Sequence, residues 1–146
     1  MQPRIRAAAL VVEDGKVLLV RHHKEGRSYW LLPGGGVDFG ETLPATARRE
    51  TLEETGLEIE VDDLVLVSET LPGRAGRHLV HVVFRGRVVG GRLRAGEEER
   101  LAEAKFVPAH ELASLPLHPP IGKELLDLAQ GAAVPRACYL GPLWVD

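Results

Sequence analysis

Apolar residues along the chain fall into short blocks broken by glycine, proline and clusters of polar residues. Ile5 to Val12 is apolar and β-compatible, and Lys16 to Arg21 carries Val17, Leu18, Leu19 and Val20. Asp14-Gly15 between them is a hairpin signal, because a two-residue turn needs positive φ at both positions. His22 to Ser28 reads as a polar loop around Gly26, and Tyr29 to Leu32 as a short buried strand. Pro33 stops that strand, and Gly34, Gly35 and Gly36 follow as a loop of permissive backbone.

A helix is predicted to start near Glu41 or Thr42. Thr42 suits the N-cap, Pro44 lies in the first turn where a missing N–H matters little, and Gly56 is a natural stop. Leu57 to Leu71 is β-rich, Pro72 to Gly76 is a turn, and Arg77 to Val89 alternates as a strand before Gly90-Gly91. Ala104 to Val107 reads as a further short strand, with helices near Ala109 to Ser114 and Ile121 to Gln130. Gly131 to Asp146 contains two prolines and no assignable period. Its Tyr139, Leu140, Leu143, Trp144 and Val145 need cover, so the tail is expected to pack on its own domain or on a partner subunit. Strands, helix, strands, helix is the order of an α/β or α+β chain with a mixed sheet between helices, here expected as a single domain over residues 1–146.

Composition narrows the function classes. The 146 residues suffice for a core without disulfides, and the single cysteine, Cys138, excludes both an internal disulfide and a cysteine zinc site. A net charge of −3 argues against duplex nucleic acid as the main partner. No apolar run approaches the roughly 20 residues that cross a bilayer. The stretch before Glu13 is too short for a signal-peptide core, so a cytoplasmic enzyme is expected.

The chemistry concentrates between Gly35 and Leu57, GGVDFGETLPATARRETLEETGL. Glu50, Glu53 and Glu54 stand at i, i+3 and i+4, within about 100° of one another on one helix face. Each like-charge pair on an exposed helix costs roughly 0.2–0.5 kcal/mol, which a divalent cation would offset. All-oxygen ligands favour Mg²⁺ or Mn²⁺. A carbonyl of Gly34 or Gly35 is a further candidate ligand, and Arg49 is placed to orient a carboxylate through charge-assisted hydrogen bonds. An isolated E-x-x-E-E cluster is more often a plain solvated face, and it is the full spacing that changes the balance.

That spacing resembles the Nudix hydrolase family, whose box reads G-x5-E-x7-R-E-U-x-E-E-x-G-U with U bulky and apolar. Gly35, Glu41, Arg49, Glu50, Glu53, Glu54, Gly56 and Leu57 meet it, while Thr51 stands at the first U. Seven fixed identities coincide by chance at one start with a probability on the order of 10⁻⁸. A local packing adjustment at Thr51 with intact chemistry is expected. The resemblance implies an α/β/α sandwich and metal-dependent hydrolysis of the diphosphate linkage in a nucleoside diphosphate derivative, by in-line attack of water on phosphorus. It implies Glu53 and Glu54 as metal ligands, Glu50 as a third ligand or the general base, Glu41 as a nearby support and the Gly34 carbonyl as a possible donor. An extra catalytic carboxylate beyond the box falls in the run Glu97, Glu98 and Glu99, with Glu98 the candidate and a solvated charge run the alternative. ADP-ribose, other nucleotide sugars, dinucleoside polyphosphates and nucleoside triphosphates all suit the box. A homodimer is expected from family habit and the apolar tail.

Arg21, Tyr29 and Phe39 are the candidate substrate-binding residues, and one of the aromatic residues flanking the glycine loop is expected to stack on a base. His22-His23 end a strand, more as surface residues than as phosphate ligands. His78 and His81, three apart on a strand, point to opposite faces and share no metal. Ser28, Ser68 and Ser114 lack a nucleophile-elbow setting. Since no box carboxylate is missing, an active hydrolase is favoured over a non-catalytic nucleotide-binding module or a structural domain with an acidic helix.

Overall fold

The structure, a computed structural model, describes residues 2–74, 76–97, 100–132 and 138–145. β1 (Arg4–Glu13) and β2 (Lys16–Lys24) form the expected hairpin, with Asp14 and Gly15 both at positive φ and Glu13 opposite Lys16. The segment expected as a loop after β2 is a second hairpin. β2 runs on to Lys24, Glu25 and Gly26 take positive φ, and β3 (Arg27–Leu31) returns with Arg27 opposite Lys24. Polar strand ends flanking a two-residue turn read in sequence as one loop, because neither side of that hairpin is buried deeply enough to show an apolar period. The glycine segment also differs from expectation: Gly34–Gly36 is a short strand, β4, antiparallel to β1. A Cβ at Gly34 would fall 2.4 Å from the Ala7 carbonyl oxygen, so only glycine permits this approach.

The helix α1 (Leu43–Thr55) is capped as its sequence predicts. The Thr42 hydroxyl accepts from the Ala45 N–H at 3.3 Å, and Gly56 closes the helix at φ 75° with its N–H donated to Leu52 O. β5 (Leu57–Leu71) and β6 (Leu79–Gly91) follow as long antiparallel partners. β7 (Leu101–Pro108) pairs with β2 and is longer than the short strand expected there. A 3-10 helix (Ala109–Ser114) and α2 (Gly122–Ala129) come next. The unassigned tail holds β8 (Cys138–Val145), which pairs in parallel with β5 of its own chain.

The sheet order is β3-β2-β1-β6-β5-β8, with β4 beside β1 and β7 beside β2. β1–β6 and β5–β8 are parallel and the other pairings antiparallel, so the sheet is mixed. Alternation sorts side chains to two faces. Ala8, Leu10 and Val83 join Leu112, Ile121, Leu125 and Leu128 beneath α2, while Ala7, Val82 and Phe84 join Ala47 beneath α1. The result is an α/β/α sandwich with α1, the helix of the box, on one face of the sheet and α2 on the other. Among the described residues no helix is long and apolar enough to cross a membrane.

Candidate active site

The wall of the site is α1. Its buried residues are Thr46, Ala47, Thr51, Glu54 and Thr55, a face with little apolar bulk. Thr51, at the position where the box asks for an apolar residue, is fully buried and donates its hydroxyl to Ala47 O at 2.7 Å. The back-bond satisfies the polar atom inside the helix, so the methyl packs without an orphaned hydroxyl.

The three box carboxylates differ in setting. The Glu54 side chain is 3% exposed, Glu50 17% and Glu53 56%. Glu54 Oε1 accepts the Gly34 N–H at 2.7 Å, and Oε2 lies 3.4 Å from His22 Nε2. Glu50 lies against β4: a Cβ at Gly35 would come within 2.4 Å of its carboxyl carbon. Burial, then the charges of Glu54 and Glu53, push the Glu50 carboxyl above its usual range, against the opposing pull of Arg49.

Arg49 is the hub of this wall. Its Nε and Nη2 form a bidentate pair with Glu41 at 2.7 and 2.9 Å, Nη1 donates to Glu50 Oε1 at 2.9 Å and reaches Glu53 Oε1 at 3.4 Å, and Nη2 reaches Gly36 O at 3.3 Å. The Arg49 guanidinium, helped by the Thr46 hydroxyl, holds the Glu41 carboxyl down at about 2. One planar fork therefore ties the helix, the loop before it and β4 into a fixed arrangement.

The C-terminal end of α1 is strapped by the segment after β6. Arg92, Arg94 and Gly96 donate their N–H groups to Gly56, Thr55 and Glu54 carbonyls at 3.1, 2.8 and 3.0 Å. Carbonyls that a helix end leaves unpaired are thus satisfied by an extended chain. A Cβ at Gly96 would meet Glu53 O at 2.1 Å, which explains a glycine there.

Beside α1 lies an open cleft of about 530 Å³. Glu50, Glu53, Glu54 and the β4 glycines line it together with the cations Arg4, Arg6, Lys24, Arg77 and Arg100. Arg6 donates to Leu32 O at 2.7 Å and Gly34 O at 3.2 Å.

A family model described as the NUDIX domain matches residues 2–129. This chain belongs to the NUDIX hydrolase family. Membership brings the family's reaction type, hydrolysis of a phosphoric anhydride, and a general use of divalent metals. The ADP-ribose pyrophosphatase of Methanocaldococcus jannaschii is 35% identical over 117 residues, covering 79% of this chain and 68% of its own. The 8-oxo-dGDP phosphatase NUDT18 of Homo sapiens is 34% identical over 139 residues, covering 93% of this chain but 40% of its own. Among solved structures, a NUDIX hydrolase from Nitrosomonas europaea superposes with a TM-score of 0.79 at 23% identity, covering 92% of this chain and 93% of its own, a likeness of fold. A UDP-X diphosphatase reaches 0.70 at 26% identity, covering 100% of this chain and 68% of its own.

The donor set of this NUDIX chain fits a hard cation. The three glutamates carry oxygen ligands only, and each carboxylate oxygen has two acceptor positions, so the bonds to Gly34 and His22 leave capacity on Glu54. No three His, Cys, Asp or Glu residues converge as a ready-made cage among the described residues. The Gly34 carbonyl, a candidate donor, already accepts from Arg6.

The structure brings some sequence candidates to the cleft and not others. Arg21 is not there: it pairs with Glu103 at 3.2 Å, because strand alternation turns His22, its neighbour, toward the cleft instead. Phe39 is fully exposed and lines neither the cleft nor the cavity next to it, since it lies in the loop that Gly40 turns at φ 85° before α1. Tyr29 lines that neighbouring cavity. Glu97 is exposed, and Glu98 lies outside the described residues. His22 and Arg6 were legible only in retrospect: Arg4, Arg6, Ala8 and Leu10 share one face of β1, so Arg6 is an arginine written into an inward-facing period.

Proposed function

We propose that this NUDIX chain hydrolyses the diphosphate linkage of a nucleoside diphosphate derivative, with Mg²⁺ or Mn²⁺ held by Glu50, Glu53 and Glu54. The observation that carries the reading is one cleft lined both by the carboxylates of α1 and by the cations Arg4, Lys24, Arg77 and Arg100. A polyanion enters such a cleft beside the carboxylates only when a cation screens it from them. When bound, a divalent ion supplies neutralisation of the diphosphate and polarisation of its P–O bonds.

The remaining work falls to the chain itself. The arginines and Lys24 align the phosphates for in-line attack. Water forms the new P–O bond, the bridging P–O bond breaks, and the bridging oxygen leaves on the other phosphate. Glu50, half-buried in the lining of the cleft, takes the proton of the water through a carboxylate oxygen that the cation does not use. Arg49 acts as a positioning residue, holding Glu50 and Glu53, and Glu98 remains the candidate for an extra catalytic carboxylate. ADP-ribose is a leading candidate substrate, since the archaeal relative named for it is 35% identical over most of this chain.

The test is release of phosphate and nucleotide from a panel of nucleoside diphosphate derivatives with Mg²⁺, Mn²⁺ or chelator. Metal-dependent cleavage of one class is expected, and Glu53→Gln is expected to remove nearly all of it while the protein melts at an unchanged temperature. Wild-type turnover by that variant defeats the metal assignment. A silent panel with Mg²⁺ still raising the melting temperature favours the nucleotide-binding module instead.

A further inference from the structure

Across β2, β3 and the segment after the 3-10 helix, ring-bearing side chains stand in one cross-strand row. His22 of β2 is the register partner of Tyr29 of β3. Trp30 N–H donates to Pro116 O and His118 N–H to Trp30 O, both at 2.9 Å, which sets the 116–118 segment alongside β3. The rings touch in series. His22 and Tyr29 are tilted with centroids 5.7 Å apart, Tyr29 and His118 stack at 4.3 Å and 15°, and Trp144 of β8 leans on His118 at 4.2 Å and 52°. At the other end of the series, His22 Nε2 lies 3.4 Å from Glu54 Oε2. One line of contacts therefore runs from β8 to a carboxylate of α1.

The register between β2 and β7 shifts between Arg21 and His22. Such a bulge re-aims the side chain beside it, and His22 lines the carboxylate cleft, largely buried. There it meets a carboxylate with one oxygen already fixed, since Glu54 Oε1 accepts the Gly34 N–H at 2.7 Å. A carboxylate held at one oxygen still swings about that bond, and a second donor at Oε2 sets its plane. At 3.4 Å the His22 contact is long for a bond to a carboxylate, so it holds only while the imidazole is kept from turning away. Tyr29, backed by His118 and Trp144, is the contact that restrains it.

We propose that His22 is a positioning residue for Glu54, donating Nε2–H to Oε2, and that Tyr29 and His118 buttress its ring. The proposal rests on the hydrolase reading for Glu54 as a metal ligand. Donors behind a ligating carboxylate govern its affinity for the ion. Cation affinity is then set partly from β3 and the 116–118 segment, far in sequence from the box.

Binding of Mn²⁺ to the whole chain is measured without substrate, by electron paramagnetic resonance and calorimetry. His22→Phe, which fills the space without a donor, is expected to weaken binding by about tenfold or more, and His22→Gln, which keeps an N–H, to recover most of that loss. Tyr29→Leu should weaken it by about threefold when His22 is present and no further when combined with His22→Phe. Tyr29→Phe, which keeps the ring, should bind as the wild type does. Melting temperatures of the variants establish that folded protein is being compared. Unchanged affinity in His22→Phe, equal losses in His22→Phe and His22→Gln, or losses from His22→Phe and Tyr29→Leu that simply multiply overturn the proposal. Nitrogen hyperfine coupling to bound Mn²⁺ that vanishes in His22→Phe makes His22 a ligand itself and overturns it as well. A wild-type chain that takes up no Mn²⁺ defeats the metal assignment, and the contact is then decided in chelator by imidazole nitrogen NMR. The His22 Nε2–H signal should move in Glu54→Gln and in Tyr29→Leu, and a signal that stays in place in either variant overturns the role of His22.

Discussion

The two helices that cover the sheet are held to it by different physics. α2 presents Leu125 and Leu128 to a cluster of aliphatic side chains around Leu10, Leu19 and Leu112, and its attachment is burial of apolar area. α1 presents threonines, an alanine and a buried glutamate, and is fastened by the Arg49 fork, the Gly34–Glu54 bond and the strap of Arg92, Arg94 and Gly96. Apolar burial is undirected and tolerates small rotations, whereas hydrogen bonds fix angle and distance. The helix that must hold carboxylates in register is the one tied by directional bonds, and the larger apolar cluster lies on the other side of the sheet.

That division is breakable at several points. The largest effect is expected on the apolar side: Leu125→Ala should lower stability by about 2–5 kcal/mol, read by denaturant unfolding, with KM unchanged for the folded fraction. A comparable loss from a truncation on the α1 face, such as Ala47→Gly, would erase the contrast.

The next effect is in pH. His81 is a buried polar residue beneath α2, with Nε2 2.8 Å from the Thr70 hydroxyl and Nδ1 without a partner among the described residues. Burial, then the charges of Arg6 and Arg77, bring it from 6.5 to about 4. The unfolded chain gains a proton as pH falls below about 6.5, and the folded chain does not until about 4. Stability should therefore hold above the upper value and fall between them, by up to roughly 3 kcal/mol. His81→Gln should flatten that window and leave the separate acid loss that begins below about 4.5, where Glu41 of the unfolded chain takes up a proton, and completes near 2, where the folded Glu41–Arg49 pair is protonated. An unchanged profile would mean that His81 titrates normally.

A smaller effect should separate geometry from charge. Arg49→Lys keeps a cation but loses the planar fork, so kcat should fall tenfold or more, about 1.4 kcal/mol, with little change in melting temperature. Full activity would make Arg49 a bystander. Smallest of all, Thr51→Val should shift stability by less than about 1 kcal/mol, because the hydroxyl only back-bonds within the helix. A large loss there would mean that the hydroxyl organises the helix.

Much of the fold was readable from local signals. Asp14-Gly15, Thr42 and Gly56 each act through their own backbone, so their turns and caps stand where the residues predict. The box spacing likewise announces itself within one helix. What escaped is what depends on partners far away in sequence. β8 is a strand because β5 offers it an edge, and nothing inside residues 131–146 encodes that edge. Arg21 and His22 differ only by which face the pleat assigns, and a register one residue away would exchange them. Tyr29 carries no mark of its stacking, since His118 and Trp144 are brought to it by two separate backbone pairings.

The strap across the end of α1 bears on how chain length can vary. Its amides bind at residues 92, 94 and 96, every second position, as a strand would spend them, and each has a fixed carbonyl to meet. An insertion between Gly91 and Gly96 would throw the later bonds out of step and loosen the helix end that carries Glu53 and Glu54. Added residues leave these three bonds intact only when they fall outside the interval from Gly91 to Gly96. Length variation among homologues should accordingly avoid positions 92 to 96, so that the helix end carrying Glu53 and Glu54 keeps its place.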